Sequence, residues 1–333
     1  MRVVYSPELM DGLLKAVANG DLSAVDRASL LSDAFTAARA NVPGASLETV
    51  VRIIKALDAS GETSHTVWTI LQPVCDLLAK LMKEVGGEAE TSFTTFVGNM
   101  VKKALKTIGW EKRAGEKKTD SLLRAILIGG LDKYCSKEPE VVAEARRRFD
   151  GHWEDSSLLP SDLKTPVYRL CVKTGGKAEY ERLLQAFHDT SDNAIKKDIL
   201  LSLGATADSA LKTRTLDWAV KSGEVKMQDF FYAVGACTGG DGAQLTWTYF
   251  QDNFTFIREK LKRAIPSLLA AIISYSINFC TLEKAAEVEQ FFTENPVPTC
   301  ERKINQQLED MRSNGKLLVM LKSTSLVNAA AWN

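Results

Sequence analysis

The 333-residue sequence is poor in histidine. It has three, His65, His152 and His188, and no two lie within one helical turn of each other. That excludes a HExxH zinc site, whose two imidazoles must stand one turn apart on one helix face. Cysteine is scattered: Cys75, Cys135, Cys171, Cys237, Cys280 and Cys300 offer no CxxC and no zinc-knuckle spacing, so they read as buried free thiols in a reducing compartment. Charge of one sign is not in excess. Lys+Arg and Asp+Glu both number 42, which leaves no global pull toward nucleic acid or an anionic membrane. Long apolar runs are missing as well. The longest uncharged stretch, residues 264–282, contains Pro266, three serines and Asn278, whereas a spanning helix needs about 20 mostly apolar residues. The start, MRVVYSPELMDG, has no secretory core or cleavage pattern, so a cytoplasmic chain without nucleic-acid or membrane partners is expected.

Catalytic motifs are equally sparse. Gly175-Gly176-Lys177 is followed by Ala178 and lacks the upstream glycine of a phosphate loop. Gly239-Gly240-Asp241-Gly242 follows a helical pattern rather than a strand, so it reads as a helix-to-helix turn. No GxSxG elbow occurs. A hydrolase assembled from distant residues stays open as the weakest reading.

What is present is helical period. Leu30, Leu31, Ala34, Phe35 and Ala38 share one face, as do Leu47, Val50, Val51, Ile54 and Leu57, and Tyr180, Leu183, Leu184 and Phe187. Alternation of period two is confined to Arg2-Val3-Val4-Tyr5, the stub of a strand at residues 1–5. Ser6-Pro7 opens a first helix that stops near Asn19-Gly20; Ser23 or Asp26 opens the next; Ser46 caps another. Pro73 falls inside a helical pattern and should kink or split it. The breakers divide residues 6–333 into roughly sixteen helices of ordinary length. From Ser161 onward the helices pair with a spacing of about 40 residues, the spacing of HEAT-like solenoids. Residues 111–118, EKRAGEKK, read as a charged, exposed loop and the loosest point of a single domain. Two basic clusters, Lys102 to Asp120 and Arg146-Arg147-Arg148, read first as solvated helix faces and second as contacts for acidic groups. The aromatic set Trp218, Phe230, Phe231, Trp247, Tyr249, Phe250, Phe254 and Phe256 reads as core.

The phrases carry more than their chemistry. RVVYSPEL with VDRASLLSDAF at residues 25–35, GWEKRAGEKKTDSLLRAILIGGL at 109–131, EARRRFDGH at 144–152, LPSDLKTPVYRLCVKTGG at 159–176, LGATADSALKTRTLDWAV at 203–220, QDFFYAVGACTGG at 228–240 and FFTENPVPTCERKINQQLE at 291–309 resemble, in order, the C-terminal helical domain of the gluzincin zinc aminopeptidases, in their puromycin-sensitive branch. The match loosens after Gly315. The resemblance implies an all-α fold, a right-handed α-solenoid of HEAT/ARM-like helix pairs forming a curved bowl. It implies a regulatory domain that closes the peptide chamber of an aminopeptidase catalytic domain, in cis or missing, and gates access to it. The zinc motif HExxH and the exopeptidase motif GAMEN belong to that catalytic domain. Neither occurs here, so the chain itself is expected to hold no zinc and to hydrolyse nothing, whether as an isolated domain, a truncated product or an empty paralogue. An Arg that holds the peptide carboxylate in some relatives reads Ala205 here, a Tyr-Lys pair falls near Leu78-Ala79, and a GRxxAW phrase is altered at residues 242–247.

The candidate peptide-binding residue is Arg214, in the family-like phrase LKTRTLDW, on helices between Phe187 and Phe256. Its alternative role is to pair with Asp208 or Asp217 and brace helix packing. A stand-alone helical scaffold binding peptides or a protein partner is the second reading of function. A dependent domain should expose an apolar docking strip; a scaffold should be polar outside.

Overall fold

The computed structural model describes residues 3–332, and every regular element in them is helical: seventeen α-helices and five short 3-10 turns. Packing divides the chain into two compact units, Met1–Cys135 with Arg312–Asn333, and Ser136–Met311. Of the expected strand stub, Met1 and Arg2 lie outside the described residues, and Val3, Val4 and Tyr5 are in no regular element.

The first unit holds α1 (Pro7–Asn19), α2 (Ala24–Arg39), α3 (Leu47–Ala59), α4 (His65–Val85), α5 (Gly87–Ile108) and α6 (Lys118–Tyr134). Its helix starts follow local chemistry. Ser6, Ser23 and Ser46 each accept a hydrogen bond from the backbone N–H three residues on, satisfying a donor that the helix leaves open. Gly20 ends α1 in the left-handed conformation, φ 78°. The helix containing Pro73 is not split; α4 runs through it. Alternate helices pack on one another, α1 on α3, α2 on α4 and α4 on α6, and their apolar stripes meet in Leu31, Val50, Ile54, Leu71, Leu78, Val97, Leu123 and Leu127, all buried.

The loop at 111–118 is exposed along its length except at Glu116. Glu116 turns inward and receives two hydrogen bonds from Arg124, at 2.9 and 2.6 Å, with both side chains almost fully buried. Arg124 also donates to the carbonyls of Gly109 and Ile108, closing the C-terminal end of α5. The guanidinium holds the Glu116 carboxyl well below its usual range.

The second unit holds α7 (Pro139–Gly151), α8 (Ser161–Gly175), α9 (Lys177–Asp189), α10 (Asn193–Leu203), α11 (Ser209–Lys221), α12 (Phe230–Cys237), α13 (Gly242–Asp252), α14 (Phe254–Lys260), α15 (Pro266–Ser276) and α16 (Leu282–Glu294); α17 (Glu301–Lys322) carries the chain from this unit back to the first. Two layers form. Helices α8, α10, α12 and α15 pack in series, and α7, α9, α11 and α13 lie against them. Bonds between successive members of a layer recur at separations of 32 to 35 residues: Arg182 to Asp150, Arg146 to Glu179, Thr165 to Asp198, Tyr180 to Thr215 and Tyr249 to Asp217. The helix-pair repeat of the solenoid-like packing is therefore somewhat shorter than the spacing of about 40 residues taken from the breakers. The aromatic set is largely core. Trp247 is fully buried among Phe250, Phe291 and Phe292, and its indole N–H donates to Glu287 at 2.5 Å. Phe256 is the exception, 45% exposed.

Candidate functional site

Arg214 stands at mid-length on α11, facing α9. Its guanidinium makes a bidentate pair with Glu181, Nη2 to Oε2 at 3.1 Å and Nη1 to Oε1, and lies 5.3 Å from the centre of the Tyr180 ring. The pair lowers the Glu181 carboxyl and raises the guanidinium. The two acids weighed for it from the sequence are engaged elsewhere. Asp208 caps α11 through the N–H groups of Ala210 and Leu211, and Asp217 pairs with Lys221 and accepts from the Tyr249 hydroxyl.

The Arg214 pair is one rung of a ladder. Arg146 on α7 reaches Glu179 on α9 at 2.6 Å, Arg182 on α9 reaches Asp150 on α7 at 2.7 Å, and Tyr249 on α13 reaches Asp217 on α11 at 3.1 Å. Each exposed rung contributes about 0–1 kcal/mol, because solvent screens it and two long side chains must be ordered. The Arg146-Arg147-Arg148 cluster is absorbed in the same way. Arg147 and Arg148 share Glu144, and the buried Arg148 also donates to the Leu158 carbonyl at 2.9 Å.

The other layer of this unit has a different surface. At the C-terminal end of α10, Lys212 donates to the Gly204 carbonyl at 2.7 Å and Arg169 to the Leu201 carbonyl at 3.1 Å. Two cations thus answer carbonyls that the helix leaves unpaired, at the negative end of its dipole. Lys212 is 5% exposed, and burial lowers its ammonium pKa. Ala205 is buried beside this end of α10, and Leu78 is buried in the first unit. Further along the layer, the ring of Tyr275 lies over Gly235 and stacks with Phe231 at 6.4 Å and 4°; Lys197 lies 4.9 Å above Tyr232. These half-exposed rings offer a flat platform on which a planar or apolar side chain can stack. Neither Lys212 nor the platform was singled out from the sequence. The readable signal for Lys212 was its place in the stripe with Thr215, Leu216 and Ala219, where burial of a lysine demands a partner.

The donor set does not fit zinc. His65 is half-buried at the start of α4. Both ring nitrogens of His152 are taken, by the Phe149 carbonyl and the Tyr168 hydroxyl at 2.8 Å each. His188 is exposed and pairs with Glu224 at 2.9 Å. The six thiols are buried, and burial pushes Cys171 and Cys237 up to about 12, far from a metal-ready thiolate. Among the described residues no three His, Cys, Asp or Glu side chains converge. No described helix is long and apolar enough to cross a membrane.

Sequence comparison follows the same outline. The model of the ERAP1-like C-terminal domain matches residues 1–313. Aminopeptidase M1-B of Oryza sativa subsp. japonica is 28% identical over 97% of this chain and 36% of its own length. Aminopeptidase M1 of Arabidopsis thaliana is 27% identical over 96% and 36%, and the puromycin-sensitive aminopeptidase of Caenorhabditis elegans is 22% identical over 95% and 34%. The chain therefore spans about a third of the length of these relatives. With its helical repeats matched over almost their full extent, the chain belongs to the ERAP1-like C-terminal domain family, the C-terminal part of M1 aminopeptidases.

Proposed function

We propose that this helical chain is the regulatory, substrate-enclosing part of a zinc aminopeptidase. It closes a peptide chamber and gates access to it, and an aminopeptidase catalytic region, in cis or as a separate partner, does the hydrolysis. The observation that carries this reading is the family match across residues 1–313 in a chain whose own side chains do not fit a zinc site. The exposed apolar side chains at the start of the chain are the candidate docking surface. Val3, Val4, Leu9, Val25 and Val42 are 38–64% exposed and all fall within the first 42 residues, in one unit. Eight further large apolar side chains, from Leu122 to Val319, are exposed elsewhere among the described residues. The peptide-facing helices are sought between Phe187 and Phe256, a stretch that includes α11 with Arg214 and α12 with Phe231.

The test of docking is direct. The rice relative, cut back to the part this chain does not cover, should associate with the chain in sedimentation. Leu9→Glu combined with Val25→Glu should weaken that association at least tenfold and leave the melting temperature of the chain unchanged. Absence of association, or indifference to the two charges, would sink the docking reading.

Arg214 is kept within this proposal as the first basic residue to test for peptide contact, and its bidentate pair with Glu181 supports bracing as its second role. Arg214→Ala should change stability by no more than about 1 kcal/mol, since the rung is exposed. Peptide affinity measured on the same variant separates the roles: a loss of affinity at unchanged melting temperature assigns Arg214 to peptide, and unchanged affinity assigns it to the ladder.

A further inference from the structure

His152 caps the C-terminal end of α7, its backbone N–H bonded to the Arg148 carbonyl. Its ring is 7% exposed. A carbonyl can only accept, so the nitrogen facing Phe149 O, Nδ1, carries the proton. In the neutral ring Nε2 is then an acceptor, and the Tyr168 hydroxyl on α8 donates to it. The ring is packed by Trp153 at 4.1 Å, Tyr168 at 5.4 Å and Phe149 at 6.0 Å, and Trp153 stacks on Tyr168 at 8°. This aromatic knot fastens the segment 152–158, which joins α7 to α8 and is also held by Arg148 on the Leu158 carbonyl and by the N–H groups of Glu154 and Asp155 on the Gly151 carbonyl.

We propose that segment 152–158 is a proton-released strap, closed while His152 is neutral and opened when the imidazole takes a second proton. The charges around the ring oppose that proton. Lys164 on α8 and Arg182 on α9 both bear on it, and Arg182 lies 5.4 Å and 5.2 Å from the Phe149 and Trp153 ring centres. The carboxylates nearby are committed: Asp150 to Arg182, Glu144 to Arg147 and Arg148, Asp198 on α10 to the Thr165 hydroxyl, and Asp155 to the N–H of Ser157. Glu154, next to Trp153 on the strap itself, is exposed to solvent. Tyr168, facing Nε2, has its own ionisation raised by burial and stays a neutral phenol. A protonated ring would turn Nε2 into a donor, force the Tyr168 hydroxyl to rotate, and put a positive charge on a buried ring whose two hydrogen-bond partners are a carbonyl and a phenol.

Burial, reinforced by Lys164 and Arg182, lowers the His152 pKa below 6.5, against the pull of the Phe149 carbonyl. The closed strap therefore binds protons less well than the open one. Closure is at full strength above pH 6.5 and weakens as pH falls through the histidine range, by up to about tenfold in the closed-to-open ratio per pH unit. The experiment is amide hydrogen exchange of residues 149–160 on the whole chain between pH 7.5 and 5.0, corrected for the intrinsic pH dependence of exchange. Protection of the strap should fall severalfold while that of α10 and α12 holds. His152→Gln, which keeps a donor and an acceptor but takes no proton, should abolish the fall. Lys164→Met, which removes one facing cation, should make it smaller. Protection independent of pH in the native chain, an undiminished fall in His152→Gln, or an undiminished fall in Lys164→Met would each overturn the proposal.

Discussion

Trp332→Ala should unfold the first unit well before the second. The penultimate residue lies beyond the family-matched stretch, yet its indole is 4% exposed and inserted against α5. It meets Phe93 edge-on at 4.8 Å and 81°, touches Phe96 at 6.0 Å, and donates to the Leu326 carbonyl at 2.9 Å. Truncating a buried Trp loses its transfer free energy and leaves a cavity, a cost of about 3–5 kcal/mol. Trp332→Phe keeps most of the apolar contact and should lose less. Because the chain has two compact units, unfolding need not be all-or-none. Hydrogen exchange should show α4, α5 and α6 deprotected while α8, α10 and α12 keep their protection. A loss below about 1 kcal/mol, the range of surface changes, would mean that the tail is not part of the core.

Gly204→Ala should be nearly as damaging, for a spatial rather than a conformational reason. Gly204 has an ordinary helical backbone, φ −71°. A Cβ there would sit 2.5 Å from the Cys237 amide nitrogen and 2.6 Å from the Ala236 carbonyl carbon. Those are backbone atoms of α12, so no side chain can turn away and the two helices must part. Overpacking of this kind costs about 1–3 kcal/mol and more where the neighbour is rigid. It would also disturb the Gly204 carbonyl that receives Lys212. Gly12→Ala is the matched control. Gly12 lies within α1 with nothing near its Cβ position, so alanine there should stabilise by about 0.5–1 kcal/mol. A denaturant series that fails to separate these two alanines would refute the close contact of α10 and α12.

Much of the fold was legible because helices announce themselves locally. Ser6, Ser23 and Ser46 cap the helices read from them, and the family phrases pointed to the domain that the comparison shows. What stayed hidden is non-local. Arg214 could be weighed against Asp208 and Asp217 because they lie within two helical turns, whereas its partner Glu181 is 33 residues back, one structural repeat. The loop at 111–118 is exposed, as its charge indicates, except at Glu116, whose side chain is buried against Arg124; a buried ion pair leaves no trace in composition. The tail after Gly315 has little family likeness and still supplies Trp332 to the core. Leu9 and Val25 are continuous with the helical pattern of α1 and α2, so only the fold separates the apolar residues facing inward from those facing out.

The central proposal is that the chain works beside an aminopeptidase catalytic region that does the hydrolysis. The most direct measurement is turnover of an aminoacyl anilide by the chain purified to constant specific activity, with zinc added, alone and then mixed with the rice relative's remaining two-thirds. No turnover by the chain alone, with peptide hydrolysis by the mixture exceeding that of the truncated relative, is the predicted result. Zinc-dependent turnover that stays with the chain through purification would contradict the account.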